Sequence, residues 1–317
     1  MVGDLKKKRF LTYDEQIIFL EEKKDLIISD KEYARKALLK IGYFPLINGY
    51  KEVFKKAGSD RFQWGTNFED ICELYKLDSD LRNVFLKSIL VVERNIKSSL
   101  SYHFCKEYGD LQSDYLNVNN YDYTGKKKNV INKMMKIMSG QLRCDSDYVY
   151  IRHYMTIYRN VPLWVLMNVL TIGQLSKVYA CQKGRIQIKV CQDFGPLRVN
   201  EMGKMLAVMT KFRNVCAHND RLFDFRTKDA LLDEDIHRRL QIPKEKGRFQ
   251  YGKNDLYAQV IILKLLLSDE DFRTFFRDLK MCFKKYPLHK AVFGKMGFPE
   301  NWERIGRIKK YKKSEML

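Results

Sequence analysis

The sequence is poor in the residues that interrupt regular structure. It has six prolines and 17 glycines in 317 residues. Because proline and glycine mark the turns of β-hairpins and short loops, their scarcity disfavours a fold made of many short strands. Long stretches rich in Lys, Glu, Leu and Ile have apolar residues at helical spacing. These features predict an all-α fold.

The chain also lacks the patterns of membrane and metal-binding proteins. No apolar run approaches the 18 or so residues of a membrane span, and no apolar segment follows the basic residues of "MVGDLKKKRFLTYDEQ". The seven cysteines form no CxxC pair and no short Cys/His cluster, so neither a zinc site nor a disulfide framework is indicated. We therefore expect a cytoplasmic protein with reduced thiols, no cofactor, no metal and no membrane partner.

Negative charge is scarce relative to positive charge. The chain has 59 Lys and Arg against 39 Asp and Glu, a net charge of +20. Such an excess concentrates polyanions around a protein, whereas a surface that serves only solubility is usually mixed in sign and nearer neutral. Nucleic acid is therefore the first candidate partner. We expect the basic run Lys126, Lys127 and Lys128, and a second run that includes Lys309 and Lys310, to contact its backbone rather than only water.

The pattern along the chain suggests three regions: an amino-terminal helical region over residues 1–80, a helical core over 81–270, and a basic carboxy-terminal region over 271–317. Within the core, Leu81–Gly109 predicts a long buried helix that ends at its glycine. The segment 109–129 that follows is polar and tyrosine-rich, as expected of a loop or insertion. The apolar phasing of the long helix runs through Phe85, Ile89, Val92, Ile96 and Leu100.

A second helix is predicted over roughly Asn200–His218, with Asn200 as its N-cap. Its apolar stripe has an arginine, Arg213, where the period requires a core residue. A half-buried arginine is costly unless it meets an anion, so its place predicts either an internal carboxylate or a bound phosphate. The preceding residues of the stripe are Met202, Met205, Leu206 and Met209.

The segment "RNVCAH" places His218 five residues after Arg213. The two lie about 140° apart on an ideal helix, so a long arginine side chain, a distorted helix end or a second copy is needed to bring both to one phosphate. Asn214 is four residues before His218, so its amide is expected to orient the ring.

These residue types suit RNA cleavage without a metal. Histidine titrates near neutrality and can accept the 2′-OH proton, while arginine offers a planar fork to the phosphate. The expected products carry 2′,3′-cyclic phosphate ends. A structural arginine with a surface histidine is the alternative, and spacing alone does not separate the two interpretations.

Five segments occur in order along the chain: "KIGYFPLINGY", "VVERNIKSSLSYHF", "PLWVLMNVLTIGQLS", "FRNVCAHNDRL" and "GFPENW". They resemble the successive signatures of abortive-infection (Abi) proteins of the AbiD/AbiF type. That family is part of the HEPN ribonuclease superfamily and is distantly related to the nuclease domains of RNA-cleaving CRISPR effectors. The chain departs from the pattern at Asn168, where many relatives have an acidic residue.

The resemblance implies an all-α, HEPN-like helical bundle with additional helices and a polar insertion. It implies catalytic roles for Arg213 and His218, with Asn214 beside them, in a metal-independent endoribonuclease of phage defence. HEPN sites often form between two copies, which implies a homodimer. The alternative is a non-catalytic RNA-binding component of a ribonucleoprotein or toxin–antitoxin system, with RNA, including a dedicated non-coding RNA, as partner in either case.

Other residues near these motifs have two interpretations each. Glu93 and Arg94 interrupt the long apolar helix; Glu93 is predicted either to form a salt bridge with Lys97 or Arg213, or to support the site together with Arg94. Arg221 lies about 80° around the helix from Arg213, so it is predicted either to contact RNA or to cap the helix end.

Overall fold

The computed structural model describes residues 9–233 and 235–309, and it confirms the all-α prediction. The only strands in these ranges are a two-residue antiparallel pair, β1 (Lys244–Glu245) and β2 (Arg248–Phe249), with Lys244 opposite Phe249. Among the helices in the same ranges, none is both long and apolar enough to cross a lipid bilayer. The α-helices are α1 (Tyr13–Lys24), α2 (Lys31–Ile41), α3 (Phe68–Tyr108), α4 (Gln112–Tyr115), α5 (Lys127–Gly140), α6 (Val149–His153), α7 (Leu163–Leu166), α8 (Ile172–Ala180), α9 (Gly184–Phe194), α10 (Val199–Ala217), α11 (Asp235–Arg239), α12 (Leu256–Leu266), α13 (Asp269–Lys285) and α14 (His289–Met296).

Of the described residues, 9–81 and 280–293 form one unit, and the others form a second. In the first unit, α1 packs against α2, which ends at Gly42 with φ of +91°, a conformation that favours glycine. A π-helical turn, Phe44–Asn48, follows and buries Leu46 and Ile47. Tyr50 donates a hydrogen bond at 2.7 Å to the buried carboxylate of Asp78. The "GYFPLINGY" segment is therefore part of the packing of this unit.

The long buried helix predicted over Leu81–Gly109 is present as α3 and ends just before Gly109. All five residues of its predicted apolar phase are fully buried, which confirms the pattern. The helix begins earlier than predicted, at Phe68. The helix includes Asp78, whose buried carboxylate accepts the hydrogen bond from Tyr50.

The polar segment 109–129 contains short helical elements and two core residues. It includes α4, a 3₁₀ turn over Val118–Asn120 and the beginning of α5. Tyr115 and Tyr121 are buried: the first donates to the Val161 carbonyl at 2.7 Å and the second to the Tyr115 carbonyl at 2.8 Å. Burial raises the pKa of both phenols. The segment is therefore anchored in the second unit by its tyrosines.

Helix α10 packs against α8, α9 and α12 in the second unit. Its four predicted stripe residues, Met202, Met205, Leu206 and Met209, are fully buried. The predicted N-cap is wrong: α10 begins at Val199, and Arg198 precedes it. The Arg198 backbone N–H donates to the Glu201 carboxylate at 2.7 Å. The start of the helix is therefore capped by the side chain of its third residue, Glu201, and not by that of Asn200.

Candidate active site

The last turn of α10 is closed by a Schellman arrangement that determines where His218 lies. His218 is the C-cap, and its backbone N–H donates to the Asn214 carbonyl at 2.9 Å. Asn219 follows in the left-handed region with φ of +61°, and the Asp220 N–H donates back to the Val215 carbonyl at 3.0 Å. The His218 side chain is exposed at this helix end.

Arg213 occupies the predicted place on the buried stripe of α10 and is half-buried. Its Nε is buried and has no hydrogen-bond partner among the described residues. The internal carboxylate that the sequence offered as one explanation is not found in that part of the chain. A buried N–H without a partner costs about 1–3 kcal/mol. The guanidinium can therefore donate to an anion that binds from solvent.

The relation between Arg213 and His218 follows from helix geometry. On an ideal helix, Arg213 and His218 are separated by about 7.5 Å along the axis, in addition to the rotation of about 140° between them. Asn214 and His218 are both exposed, and their link is between backbone atoms. Within the described ranges no hydrogen bond joins the Asn214 amide to the His218 ring, so the predicted orientation of the ring by this amide is absent here.

Arg82, in α3, is a contributor that the sequence did not indicate. It is 2% exposed, and its Nε donates to Asn219 Oδ1 at 3.1 Å. Its Nη1 is 3.3 Å from the Asp220 carbonyl oxygen. Arg82 thus fixes the turn that directly follows His218. No local spacing could have revealed this contact, since the two partners are 137 residues apart.

Glu93 also lies in α3 and is buried. Its Oε1 pairs with Lys97 Nζ at 2.8 Å, which is the first of the two ion pairs predicted for it. Its Oε2 is buried and has no hydrogen-bond partner among the described residues. Arg94 is exposed and forms no ion pair with any residue in the described ranges. The two proposed supporting residues therefore differ in environment, because Glu93 is enclosed and Arg94 faces solvent.

Arg221 follows the turn and is already paired. It contacts Asp224 at 2.7 Å, and its guanidinium lies 5.9 Å from the centre of the Phe223 ring. A phosphate bound by Arg221 would have to share or replace the Asp224 carboxylate. Because this pair is partly exposed to solvent, the exchange would cost little.

The run Lys126–Lys128 lies at the amino-terminal end of α5, whose first turn has no acidic residue. Lys127 pairs with Asp122 at 2.6 Å, Lys128 lies 5.5 Å from the Tyr123 ring centre, and Lys126 is exposed. A helix amino terminus is the positive end of its dipole, so lysines there add to an already positive potential. This end of α5 therefore attracts anions, as the predicted backbone contact requires.

The second basic run is only partly described. Lys309 is exposed, and its carbonyl accepts a hydrogen bond from Arg239 at 3.1 Å. Lys310 and the rest of that run lie outside the described residues.

Ser99 and Asp193 line an open groove of about 510 Å³, and His103 contacts Asp193 beside them. Ser99 donates to Asp193 Oδ2 at 2.6 Å, and His103 Nε2 lies 2.9 Å from the same oxygen. The carboxylate is therefore between the other two side chains. A nucleophilic serine requires the imidazole beside its hydroxyl, and here the hydroxyl contacts the carboxylate instead. The three side chains therefore form a structural hydrogen-bonded cluster rather than a catalytic triad.

Several of the cysteines are poor nucleophiles because they are buried. All seven are free thiols. Burial raises the pKa of Cys72 and Cys105 to about 11, and that of Cys282 to about 12. These three thiols stay protonated at neutral pH, and the thiolate is the reactive form. In the described ranges, no group of three or more His, Cys, Asp or Glu side chains is arranged to hold a metal ion.

The all-α fold places an Arg-Asn-x-x-x-His sequence at the exposed carboxy-terminal end of α10. The family model described as Abi-like protein matches residues 36–224, more than half of the chain, and the protein belongs to that family. The match includes Arg213, His218 and Arg221, and it ends before the second basic run. Comparison with curated proteins and with solved structures gave no match.

Proposed function

We propose that the protein acts in abortive infection, a form of phage defence, as a metal-independent endoribonuclease with a HEPN-like site at Arg213 and His218. Membership of the Abi-like family suggests the defence role. The net charge of +20 favours a polyanionic substrate. RNA is the substrate proposed, because it carries its own nucleophile, the ribose 2′-OH, beside each phosphate.

The single observation that carries this proposal is the environment of Arg213. Its Nε is buried at the surface end of the α10 stripe and has no hydrogen-bond partner in the described part of the chain. The terminal nitrogens of this half-buried guanidinium could donate to a bound phosphate oxygen, and the charge on that oxygen increases as the transition state forms. A half-buried cation without an internal anion is expected where a ligand supplies the anion.

The proposed reaction is a transesterification within the RNA. His218 accepts the 2′-OH proton as the 2′-oxygen attacks the neighbouring phosphorus. The bond between phosphorus and the 5′-oxygen breaks, and that oxygen takes up a proton from a protonated histidine as it leaves. The products are one strand ending in a 2′,3′-cyclic phosphate and one beginning with a 5′-OH. Arg213 donates to the non-bridging oxygens throughout.

A second copy of the chain is part of the proposal. Arg213 and His218 lie on different faces of α10, about 140° apart. Two copies that meet at the exposed end of α10 would place Arg213 of one copy near His218 of the other. One histidine could then act as the base while its counterpart protonates the leaving oxygen. The proposed active species is therefore a homodimer.

A labelled pool of single-stranded RNA tests the activity. Wild-type protein and a Lys204→Ala control, which changes an exposed residue of the same helix, should cleave the pool. His218→Ala should bind it without cleaving it. Binding without cleavage by the wild type itself would contradict the ribonuclease and favour a non-catalytic component of a ribonucleoprotein or toxin–antitoxin system.

A further inference from the structure

A group of aromatic rings, most of them exposed, lies outside the candidate active site, on the N-cap of α6, on α6 itself and on the π-helical turn Tyr154–Tyr158 that continues it. We call this group the aromatic surface; it consists of Tyr148, Tyr150, His153, Tyr154 and Tyr158. Tyr148 is 43% exposed and Tyr158 is 62% exposed. Exposed rings clustered on one segment are unusual in a protein that buries most of its other large side chains.

The rings of the aromatic surface contact one another in two groups, Tyr148 with Tyr150, and His153 with Tyr154 and Tyr158. The centres of Tyr148 and Tyr150 are 5.7 Å apart. The His153 ring lies 5.8 Å from Tyr158, and the Tyr154 ring lies 5.3 Å from Tyr158. Such contacts restrict ring rotation without covering the outer faces. A ligand that stacks on these faces would therefore lose less entropy than one that must first order mobile side chains.

Positive charge is concentrated in the part of the sequence that holds these rings. Residues 126–159 hold eight Lys or Arg and two Asp. Both acids lie near Arg143: Asp145 bonds to it at 2.6 Å, and Asp147 also stabilises its charge. Arg159, exposed and with φ of +49°, ends the π-helical turn. The segment therefore combines aromatic faces with more cations than its own two acids can neutralise.

We propose that the aromatic surface binds the unpaired bases of single-stranded RNA. Stacking of a base on an aromatic side chain contributes about 1–3 kcal/mol, and every base has a face to offer. The neighbouring cations are suited to the phosphates between stacked bases. Paired bases in a duplex are covered on both faces, so the surface selects single strands. This inference rests on the proposed action on RNA and names a place where the RNA is held.

The test compares two double variants at exposed positions. Tyr148→Ala/Tyr158→Ala removes two rings, and Tyr148→Phe/Tyr158→Phe keeps the rings while removing the hydroxyls. The probes are a labelled 12-nucleotide RNA, the same RNA in a duplex, and a strand of equal length without bases. We expect the alanine variant to bind the single strand at least about tenfold more weakly than wild type, in line with the loss of stacking. The phenylalanine variant should bind as wild type does.

Two further readouts distinguish stacking from other roles. The alanine variant should bind the abasic strand as well as wild type does, and the salt dependence of its binding should be unchanged, because stacking releases no counterions. Equal affinity of wild type and alanine variant for the single strand would overturn the proposal. So would an alanine variant that changes only self-association in sedimentation, since the surface would then be a contact between copies.

The outcome for this surface is separable from that for the active site. RNA that is bound through the rings but never cleaved would support the aromatic surface and contradict the ribonuclease. RNA that is cleaved and bound equally by wild type and the alanine variant would support the ribonuclease and contradict the aromatic surface.

Discussion

Arg82 Nε donates to Asn219 Oδ1 at 3.1 Å and thereby connects the buried face of α3 to the residue after His218. Asn219 has φ of +61°, which most side chains disfavour. The position of His218 thus depends both on a local backbone conformation and on a long-range hydrogen bond. Arg82 is a positioning residue in this account, because it acts on His218 through the turn.

Asn219 variants separate these two contributions. Asn219→Gly accepts the positive φ without strain but removes the side-chain acceptor of Arg82 Nε, so we expect the rate of RNA cleavage to fall at least about tenfold, as it does when a supporting group is lost. Asn219→Asp keeps an acceptor for Arg82 and should cleave close to the wild-type rate. Thermal unfolding, measured alongside, should show both variants folded.

Asn219→Ala completes the set. It lacks the acceptor and adds strain of about 1–2 kcal/mol for a left-handed residue. It should therefore be less stable than Asn219→Gly and no more active. Full activity of the glycine variant would show that the contact with Arg82 does not position the site.

Arg213→Met tests whether the arginine is kept for function or for stability. Methionine keeps the unbranched aliphatic stem of the arginine on the stripe. It removes the guanidinium, whose buried Nε has no hydrogen-bond partner in the described residues. We expect cleavage to be abolished while the free energy of unfolding stays equal or rises, since an unsatisfied donor costs about 1–3 kcal/mol. Urea unfolding and cleavage assays provide the two measurements.

A structural salt bridge at Arg213 would give the opposite result. Breaking a buried pair typically costs about 3–5 kcal/mol. Destabilisation of that size by Arg213→Met would contradict a functional arginine. Arg277→Met, at an exposed site on α13, controls for removal of a surface charge and should leave cleavage unchanged.

The helical architecture was largely predictable from the sequence, because buried positions repeat with the helix period. The phase of α3 and the stripe of α10 are both present as predicted. The helix ends were less predictable: α3 includes the buried Asp78, which is hydrogen-bonded by the distant Tyr50, and α10 starts before Asn200. The periodicity of apolar residues gives no information about such tertiary contacts.

The candidate site was predictable only in part, for the same reason. The stripe identified Arg213 as a charged residue at a core position, and the local motif identified His218. Arg82 was not predictable, because its partners are far away in sequence. The predicted contact between the Asn214 amide and the His218 ring followed correct helix spacing, but both side chains face solvent, where hydrogen bonding to water competes with their pairing.

RNA binding should weaken steeply as salt is added, because neutralised phosphates release counterions. Each phosphate contact on a single strand contributes about 0.7 to the slope of log K against log salt. Lys126→Glu/Lys128→Glu should flatten that slope. Lys36→Glu, at an exposed helix position in the first unit, is the control and should not change it. An unchanged slope for the double variant would mean that the RNA path avoids the start of α5.

Asp255 gives the fold a pH dependence. Its buried carboxylate caps α12 by accepting the Ala258 N–H at 2.9 Å and the Gly252 N–H at 3.0 Å. Burial raises its pKa from 3.8 to about 6. Because the folded-state pKa lies above the unfolded value, the native state holds this proton more tightly. The stabilisation is complete below about pH 4 and is lost as the pH rises through about 6.

Asp255→Asn retains an acceptor for the cap and cannot ionise. Between pH 4 and 6, its free energy of unfolding should therefore rise relative to wild type, by on the order of 3 kcal/mol. Above pH 7 the difference in the free energy of unfolding between variant and wild type should be constant. Urea unfolding of both proteins across this range measures it, and parallel curves would contradict a buried carboxylate that ionises with a raised pKa.

The chemical ends of the RNA fragments test the central claim most directly. With Arg213 and His218 as the reacting groups and the ribose 2′-OH as the nucleophile, every cut must leave a 2′,3′-cyclic phosphate and a 5′-OH. DNA, which lacks that hydroxyl, should remain intact, and EDTA should not slow the reaction. End-group analysis by mass spectrometry of fragments made by wild-type protein should find these termini alone. Fragments with 5′-phosphate ends, or a reaction stopped by the chelator, would contradict the account.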